Sequence, residues 1–372
     1  MVRNLFIVLA LILSGFCKSF SQTSNSFFNQ SCQILPGDSG KIFLKIDNTN
    51  FFKNNEYFGE ITDGYTALGF HVTPQIEYTL NPKLKIAGGV HLLKYSGRDE
   101  FTKAVPLLSI QYKPYKYLNM VLGNIYGTTN HGIIEPMFEF ERYLNNYTEN
   151  GIQFLWDSKR IRADLWLDWE QYILQGDPFQ EKFNVGLSSR INLYKPSEKI
   201  DFTFDFQNMV RHEGGQVNKK NKPLYTVYNN ATGISVNCYL KSKLINSIRF
   251  TPYIVNYQDL SPTKNQLYID GTAVYTTLEF FSDNLGLFLG YWYSEQYITP
   301  LGNPLFESIS RNKWWVDNPV RELFMAKIYY QKNIYKGINL SFRVETYSDL
   351  LNGNMDYSYG LIITFNDRFL LK

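Results

Sequence analysis

The chain has 372 residues, 44% of them hydrophobic and 19% charged. That is too apolar for disorder and leaner in charge than the ~25% of an ordinary soluble domain. Aromatics reach 17%, yet past residue 21 no apolar run approaches the ~20 residues of a membrane helix, and a formal charge of +3 gives no push toward nucleic acid.

The front of the chain reads as a leader. Arg3 precedes the apolar stretch Leu5 to Leu13, and Ser14 to Ser21 turn small and polar. This is the layout of a secretory signal peptide, with Ser19 and Ser21 set for cleavage before Gln22. Losing 1–21 removes Arg3 and Lys18 and leaves 35 basic against 34 acidic residues, a net of +1. Two cysteines then remain, Cys32 and Cys238. Export puts them where a disulfide can form, and whether they pair stays open. Residues 22–41 read as a periplasmic N-terminal segment, and 42–372 as the folded body.

From residue 42 onward, period two dominates. Ile161, Ala163, Leu165, Leu167 and Trp169 fall on one face, and Arg162, Asp164, Trp166, Asp168 and Glu170 on the other. Phe202, Phe204 and Phe206 oppose Asp201, Thr203, Asp205 and Gln207, and Leu340, Phe342 and Val344 oppose Ser341, Arg343 and Glu345. Such alternation makes strands with one apolar and one polar face. In chain order the strands are expected at 42–58, 65–80, 84–95, 105–113, 118–126, 151–158, 161–170 and 182–194, then at 200–210, 224–240, 244–258, 271–282, 285–294, 320–333, 337–350 and 356–371. The expected fold is all-β: a transmembrane antiparallel barrel of about 16 strands (14–18). Leu165, Leu167, Phe204, Leu340, Phe342, Leu361 and Ile363 are expected to face outward.

The connections alternate between short turns rich in Asn, Pro, Asp and Lys and long stretches at 127–150, 171–181, 211–223, 259–270 and 295–319. Short periplasmic turns and long extracellular loops are the barrel pattern. Tyr112, Tyr115, Tyr117, Tyr194 and Tyr239 near short-turn ends, and Tyr57, Phe58, Tyr65, Tyr126 and Trp169 near long-loop ends, are placed for two interfacial girdles. Lipid leaves a free strand edge unsatisfied, so a sheet there must close.

At the end of the chain, Ser358-Tyr359-Gly360-Leu361-Ile362-Ile363-Thr364-Phe365 resembles the final-strand signal of outer-membrane barrels. The chain departs from that family by continuing to Lys372 instead of finishing on an aromatic residue. The resemblance is to a porin-like outer-membrane β-barrel of a Gram-negative bacterium, with no subfamily identified. It implies the cell outer membrane, contact with its lipid and lipopolysaccharide, and recognition by the barrel-assembly machinery through Gly360, Ile363 and Phe365.

Catalytic patterns are largely absent: there is no Gly-x-Ser-x-Gly, no His-Glu-x-x-His and no phosphate-binding glycine loop. The chain is therefore read as no enzyme, with no cofactor, catalytic or metal residues; His131 and Glu135 would need further ligands to hold a metal. The expected pore-lining residues are Asp164, Asp168, Glu170, Asp201 and Asp205 on one wall, with Arg190 among them, and Lys327 and Arg343 about half a ring away. The third long loop carries His131, Glu135, Glu139, Glu141 and Arg142, and Ile134, Met137, Phe138 and Leu144 at helix-like intervals. In the porins it resembles, that loop folds inward and narrows the pore. Gly214-Gly215-Gln216 with Lys219, Lys220 and Lys222 makes a basic outer loop.

Two functions follow. One is a channel passing small hydrophilic solutes through a polar lumen narrowed by the third loop. The other is a non-conducting surface barrel that binds or organises exported polysaccharide, using the loop aromatics Trp292, Tyr293, Tyr297, Trp314 and Trp315.

Overall fold

The computed structural model describes residues 25–215, 222–242, 244–313 and 315–372. The leader expected at 1–21, and Gln216, Lys219, Lys220 and Trp314, lie outside the described residues. The strands are β1 (Ile42–Glu56), β2 (Thr66–Asn81), β3 (Leu84–Tyr95), β4 (Lys103–Tyr115), β5 (Leu118–Asn124), β6 (Asn150–Asp157), β7 (Ile161–Gln171) and β8 (Glu181–Ser197). They continue as β9 (Ile200–Gly214), β10 (Tyr225–Tyr239), β11 (Ser247–Asp259), β12 (Asp270–Phe281), β13 (Leu285–Glu295), β14 (Val320–Tyr335), β15 (Ile338–Asp349) and β16 (Met355–Leu370). Each strand pairs with its chain neighbour, and β1 closes on β16 over fourteen pairs, Phe43–Leu370 to Glu56–Tyr357. Every expected segment is a strand, and no boundary is off by more than four residues. No helix among the described residues is long and apolar enough to cross a membrane, so any crossing is made by strands.

The alternation sets which side each residue takes. Leu165, Phe342, Leu361 and Ile363 are exposed on the outer wall, and Leu167, Phe204 and Leu340 are half-buried there. Asp164, Trp166, Asp168, Thr203, Asp205, Ser341 and Arg343 are buried inside. A shift of one residue would exchange these sets, so the barrel has a single register.

The interior is filled rather than open. From the long-loop rim, the third loop (125–149) and the seventh (296–319) fold inward and meet. Tyr297 donates to the Pro136 carbonyl at 3.1 Å, Glu139 N–H to Leu301 O at 2.9 Å, and Asn303 N–H to Glu135 O at 3.1 Å. They touch so closely that a Cβ on Gly302 would lie 2.1 Å from Pro136 O. Ile134, Met137, Leu305 and Phe306 from these loops pack with Trp292 and Met325 of the wall into one apolar cluster. The helix expected in the third loop shrinks to α1 (Arg142–Asn145), because the apolar residues there anchor a winding chain instead of a stripe.

From the short-turn rim the described part of the segment before β1, from residue 25, also enters the barrel. Gln30 and Asn130 exchange two hydrogen bonds (3.0 and 2.9 Å), Gln111 donates to Cys32 O at 2.7 Å, and Phe28 packs against Phe140 and Tyr143 with ring centroids 5.3 and 4.9 Å apart. Its backbone and rings are better satisfied there than in water. Several expected girdle residues turn inward too: Tyr57 packs on the apolar cluster, Tyr126 donates to Gln111, and Tyr239 donates to Asp201.

Candidate functional site

The expected wall charges are hydrogen-bonded locally, several of them in ion pairs. Arg190 binds Asp205 at 2.6 Å; Glu170 takes Arg142 at 3.0 Å and Arg211 at 2.6 Å; Asp201 accepts from Asn237 and Tyr239. Asp168 accepts from Asn150 N–H and Asn184. Across the ring, Glu345 sits between Arg343 at 2.7 Å, Lys53 at 2.9 Å and Lys327 at 3.7 Å. Two loop acids reach this basic wall: Glu135 pairs with Lys327, and Glu141 with Lys53 at 3.4 Å. Strong charges left in a low-dielectric interior would be costly, so each finds a partner within its own neighbourhood.

His131 is the centre of the loop anchor. Its Nδ1 lies 2.8 Å from Asp164 and its Nε2 2.8 Å from Glu149, and the ring stacks on Trp166. Burial disfavours the imidazolium, but the two flanking carboxylates overcome it and hold the pKa up to about 9. Both ring nitrogens are thus engaged by carboxylates. Glu135, which would have had to share a metal with His131, points to Lys327 instead. Among the described residues no three His, Cys, Asp or Glu side chains converge as metal ligands.

The packing among the described residues still leaves cavities. One of about 280 Å³ lies toward the short-turn rim, lined by Gln30, Asn130, Asp164, Arg190 and Asp205. Cys32 also borders it, its thiol pushed up to about 12 by burial and by the Asp164 charge, hence unreactive. Cys32 and Cys238 are both free. Another cavity, about 660 Å³, opens at the long-loop rim among Glu139, Arg142, Glu170, Arg211 and Arg311. Burial raises the Glu139 carboxyl there, against Arg311 and Arg142.

The arrangement with most chemical potential is on the outer wall. At the long-loop ends of β1, β2 and β16, four polar side chains take outward positions: Asn54 and Glu56, Thr66 across from Asn54, and Tyr359 on its other side. Asn54 Nδ2 donates to Glu56 Oε1 at 2.7 Å and to the Tyr359 hydroxyl at 3.2 Å, while Thr66 donates to Asn54 Oδ1. In the next outward row stand Phe52, Leu68 and Leu361, with Asn50 below Phe52 between Ile363 and Phe70. Exposed Phe58, Tyr65 and Tyr359 rim the cluster. Glu56 makes no ion pair among the described residues and keeps one carboxylate oxygen open, half-exposed at this boundary. The sequence reading missed all four as a site. In β1 the outward phase carries Asn48, Asn50, Asn54 and Glu56.

A closed sixteen-strand ring with short turns at one rim, long loops at the other and an apolar outer belt is an outer-membrane β-barrel. Solved structures agree on the fold. The chain is similar to the outer-membrane protein OprD from Pseudomonas aeruginosa (TM-score 0.54, 8% identity, 92% of this chain and 96% of that one). It is also similar to a loop-deletion form of OmpT from Vibrio cholerae (TM-score 0.52, 10% identity, 88% and 100%). Comparison with curated protein sequences finds no match. A family profile described as lipid A 3′-O-deacylase-type matches residues 34–372, and the chain belongs to that family. This membership corrects the expectation that the protein is no enzyme.

Proposed function

We propose that the protein hydrolyses an acyl ester of a glycolipid in the outer leaflet, the lipid A class named by its family. The observation that carries this reading is the Asn54–Glu56–Thr66–Tyr359 cluster, set on the outer wall just above the apolar belt. An ester joining sugar to acyl chain lies at that boundary, and the substrate reaches it sideways from the membrane without entering the barrel. The open oxygen of Glu56 takes a proton from a water as that water adds to the ester carbonyl carbon. Tyr359 accepts from Asn54, so its own hydroxyl proton is free to donate to the developing oxyanion. As the carbon–oxygen bond to the sugar breaks, Glu56 returns its proton to the departing sugar oxygen, giving a free fatty acid and a sugar hydroxyl. Asn54 is the positioning residue: through Thr66, Glu56 and Tyr359 it fixes all three.

The filled interior favours this reading over passage of solutes, and burial of Trp292 and Tyr297 removes them as a sugar-binding surface. The test is mass spectrometry of lipid A after incubation with the folded barrel. The expected product has lost one ester-linked acyl chain. Glu56→Gln is expected to slow its formation by about 10²–10⁴-fold and Tyr359→Phe by about 10²-fold, with the heat-shifted gel position of the folded barrel retained. An unchanged acyl complement with wild-type protein, or full activity of Glu56→Gln, overturns the proposal.

A further inference from the structure

The short-turn rim carries mainly one sign of charge. Among the described residues its exposed ionisable side chains are eleven cations against three carboxylates, Asp157, Glu198 and Asp283. The excess belongs to this rim alone. At the long-loop rim exposed Glu60, Asp63, Asp99, Glu100, Asp270 and Glu295 outnumber the exposed cations of the described residues. The cations crowd most closely from β4 to β9, where Lys116, Lys159, Arg160, Lys195 and Lys199 occupy three successive short turns and the strand ends beside them. Asp157 lies 3.8 Å from Arg162, which leaves Glu198 to face these five. Lys116, Lys159, Arg160 and Lys199 make no ion pair among the described residues.

Aromatic residues set the height of this arc on the wall. Tyr115 and Tyr117 flank Lys116, Tyr194 precedes Lys195, and Trp156 stands three residues before Lys159; all four rings are exposed. Exposed Tyr and Trp at strand ends mark the boundary between membrane and water. At ~3.3 Å per residue the cations lie within ~10 Å of that level, the depth of lipid headgroups. Lys116 Nζ stands 5.2 Å from the centre of the Tyr117 ring, so its charge leans onto an interfacial side chain. We infer that this arc binds the anionic headgroups of phospholipids in the leaflet at the short-turn rim. The occupant follows from position and charge. A leaflet surrounds the barrel at this height, and its headgroups reach the cations sideways, past the rings, whereas a soluble acidic partner meets only the turn tips. Lys and Arg clustered beside a membrane select anionic lipid over lipid of no net charge, and the attraction falls off within a Debye length. The arc is at the other end of the wall from the Asn54–Glu56 cluster, so the inference stands apart from the hydrolytic reading.

The test uses the folded barrel in mixed vesicles of phosphatidylethanolamine and phosphatidylglycerol, one or the other lipid brominated in its acyl chains. Quenching of Trp156 is read as the difference between the wild-type chain and Trp156→Phe. At low salt and equal mole fraction, brominated phosphatidylglycerol is expected to occupy the site beside Trp156 with at least about a fivefold preference over brominated phosphatidylethanolamine. Raising the salt should narrow that gap. Lys116→Gln/Lys159→Gln/Lys195→Gln/Lys199→Gln changes only exposed side chains and is expected to keep the heat-shifted gel position while abolishing the preference. Lys83→Gln/Lys332→Gln, two exposed cations outside the arc, is expected to retain it. Equal quenching of the wild-type chain by the two lipids, a wild-type preference untouched by salt, a preference that survives the fourfold variant, or one lost equally in the Lys83/Lys332 variant each overturns the inference.

Discussion

His131 lies face to face with Trp166, ring centroids 3.6 Å apart and planes within 6°. A charged imidazole gripped edge-on by Glu149 and Asp164 and covered by an indole fixes where the third loop enters the barrel. The pKa of His131 in the folded chain, about 9, exceeds the ordinary 6.5. Its contribution is therefore complete below about pH 6.5 and is lost as pH rises through 9. The loss is expected to be on the order of 3 kcal/mol. It is read as a fall in the temperature at which the folded gel band converts, between pH 6 and pH 10. His131→Gln should flatten that dependence while lowering stability throughout.

Trp166 depends in turn on Gly186, over which its ring lies. A Cβ at Gly186 would sit 2.1 Å from the indole. The ring is fully buried and cannot swing away, so Gly186→Ala is expected to cost about 1–3 kcal/mol by overpacking. Reduced near-ultraviolet circular dichroism, from the displaced tryptophan, should accompany the lower melting temperature.

Glu345 is the shared counter-charge of Lys53, Lys327 and Arg343. Glu345→Gln leaves buried cations without it, and about 3–5 kcal/mol of destabilisation is expected. Urea unfolding in detergent micelles measures the effect. A double variant that also replaces Lys53 by Met should recover part of the loss.

The outer wall has a different sensitivity. Lysine at Leu165 or Phe342, both exposed on the lipid side, is expected to cost about 2–4 kcal/mol. Lysine at Leu350, exposed in the last long loop, should change stability little. Comparing unfolding midpoints of the three variants reads out the register directly.

The filled interior bears on conduction. Wild-type protein in a planar bilayer is expected to pass far less current than an unplugged barrel of sixteen strands. Deleting residues 133–144 removes Ile134, Met137 and Phe138 from the apolar cluster and should raise single-channel conductance. Unchanged conductance in a folded deletion variant would mean that the seventh loop and the segment before β1 are sufficient to block the lumen.

The fold was legible because each strand carries its own instruction. The alternation Leu165-Trp166-Leu167-Asp168 states which side faces lipid, and the turn residues state where the chain reverses. The lumen residues were legible in phase but not in partnership. Nothing local says that Glu135 reaches Lys327, 192 residues away, or that Asp205 takes Arg190. Tyr57 and Tyr126 read as interfacial aromatics and Trp292 as a sugar-binding loop aromatic, because an inward-folded loop creates an apolar interior that strand periodicity does not announce. The outward cluster was hidden for the opposite reason. Asn54 and Glu56 look like an ordinary polar strand end until Thr66 and Tyr359 are brought beside them by pairing.

The segment from Asn25 to Ile34 lies inside the ring that β1 and β16 close. A closed hydrogen-bonded cylinder is open only at its rims, so this stretch reaches Asn130 and Phe140 either as the last seam zips or through the short-turn rim. Anything bulky joined ahead of Asn25 begins from the middle of the cylinder and competes for that space. For anyone building fusions, the outer loop at 260–269 is the safer attachment point, and a tag at the front of the chain doubles as a probe of how the barrel shuts.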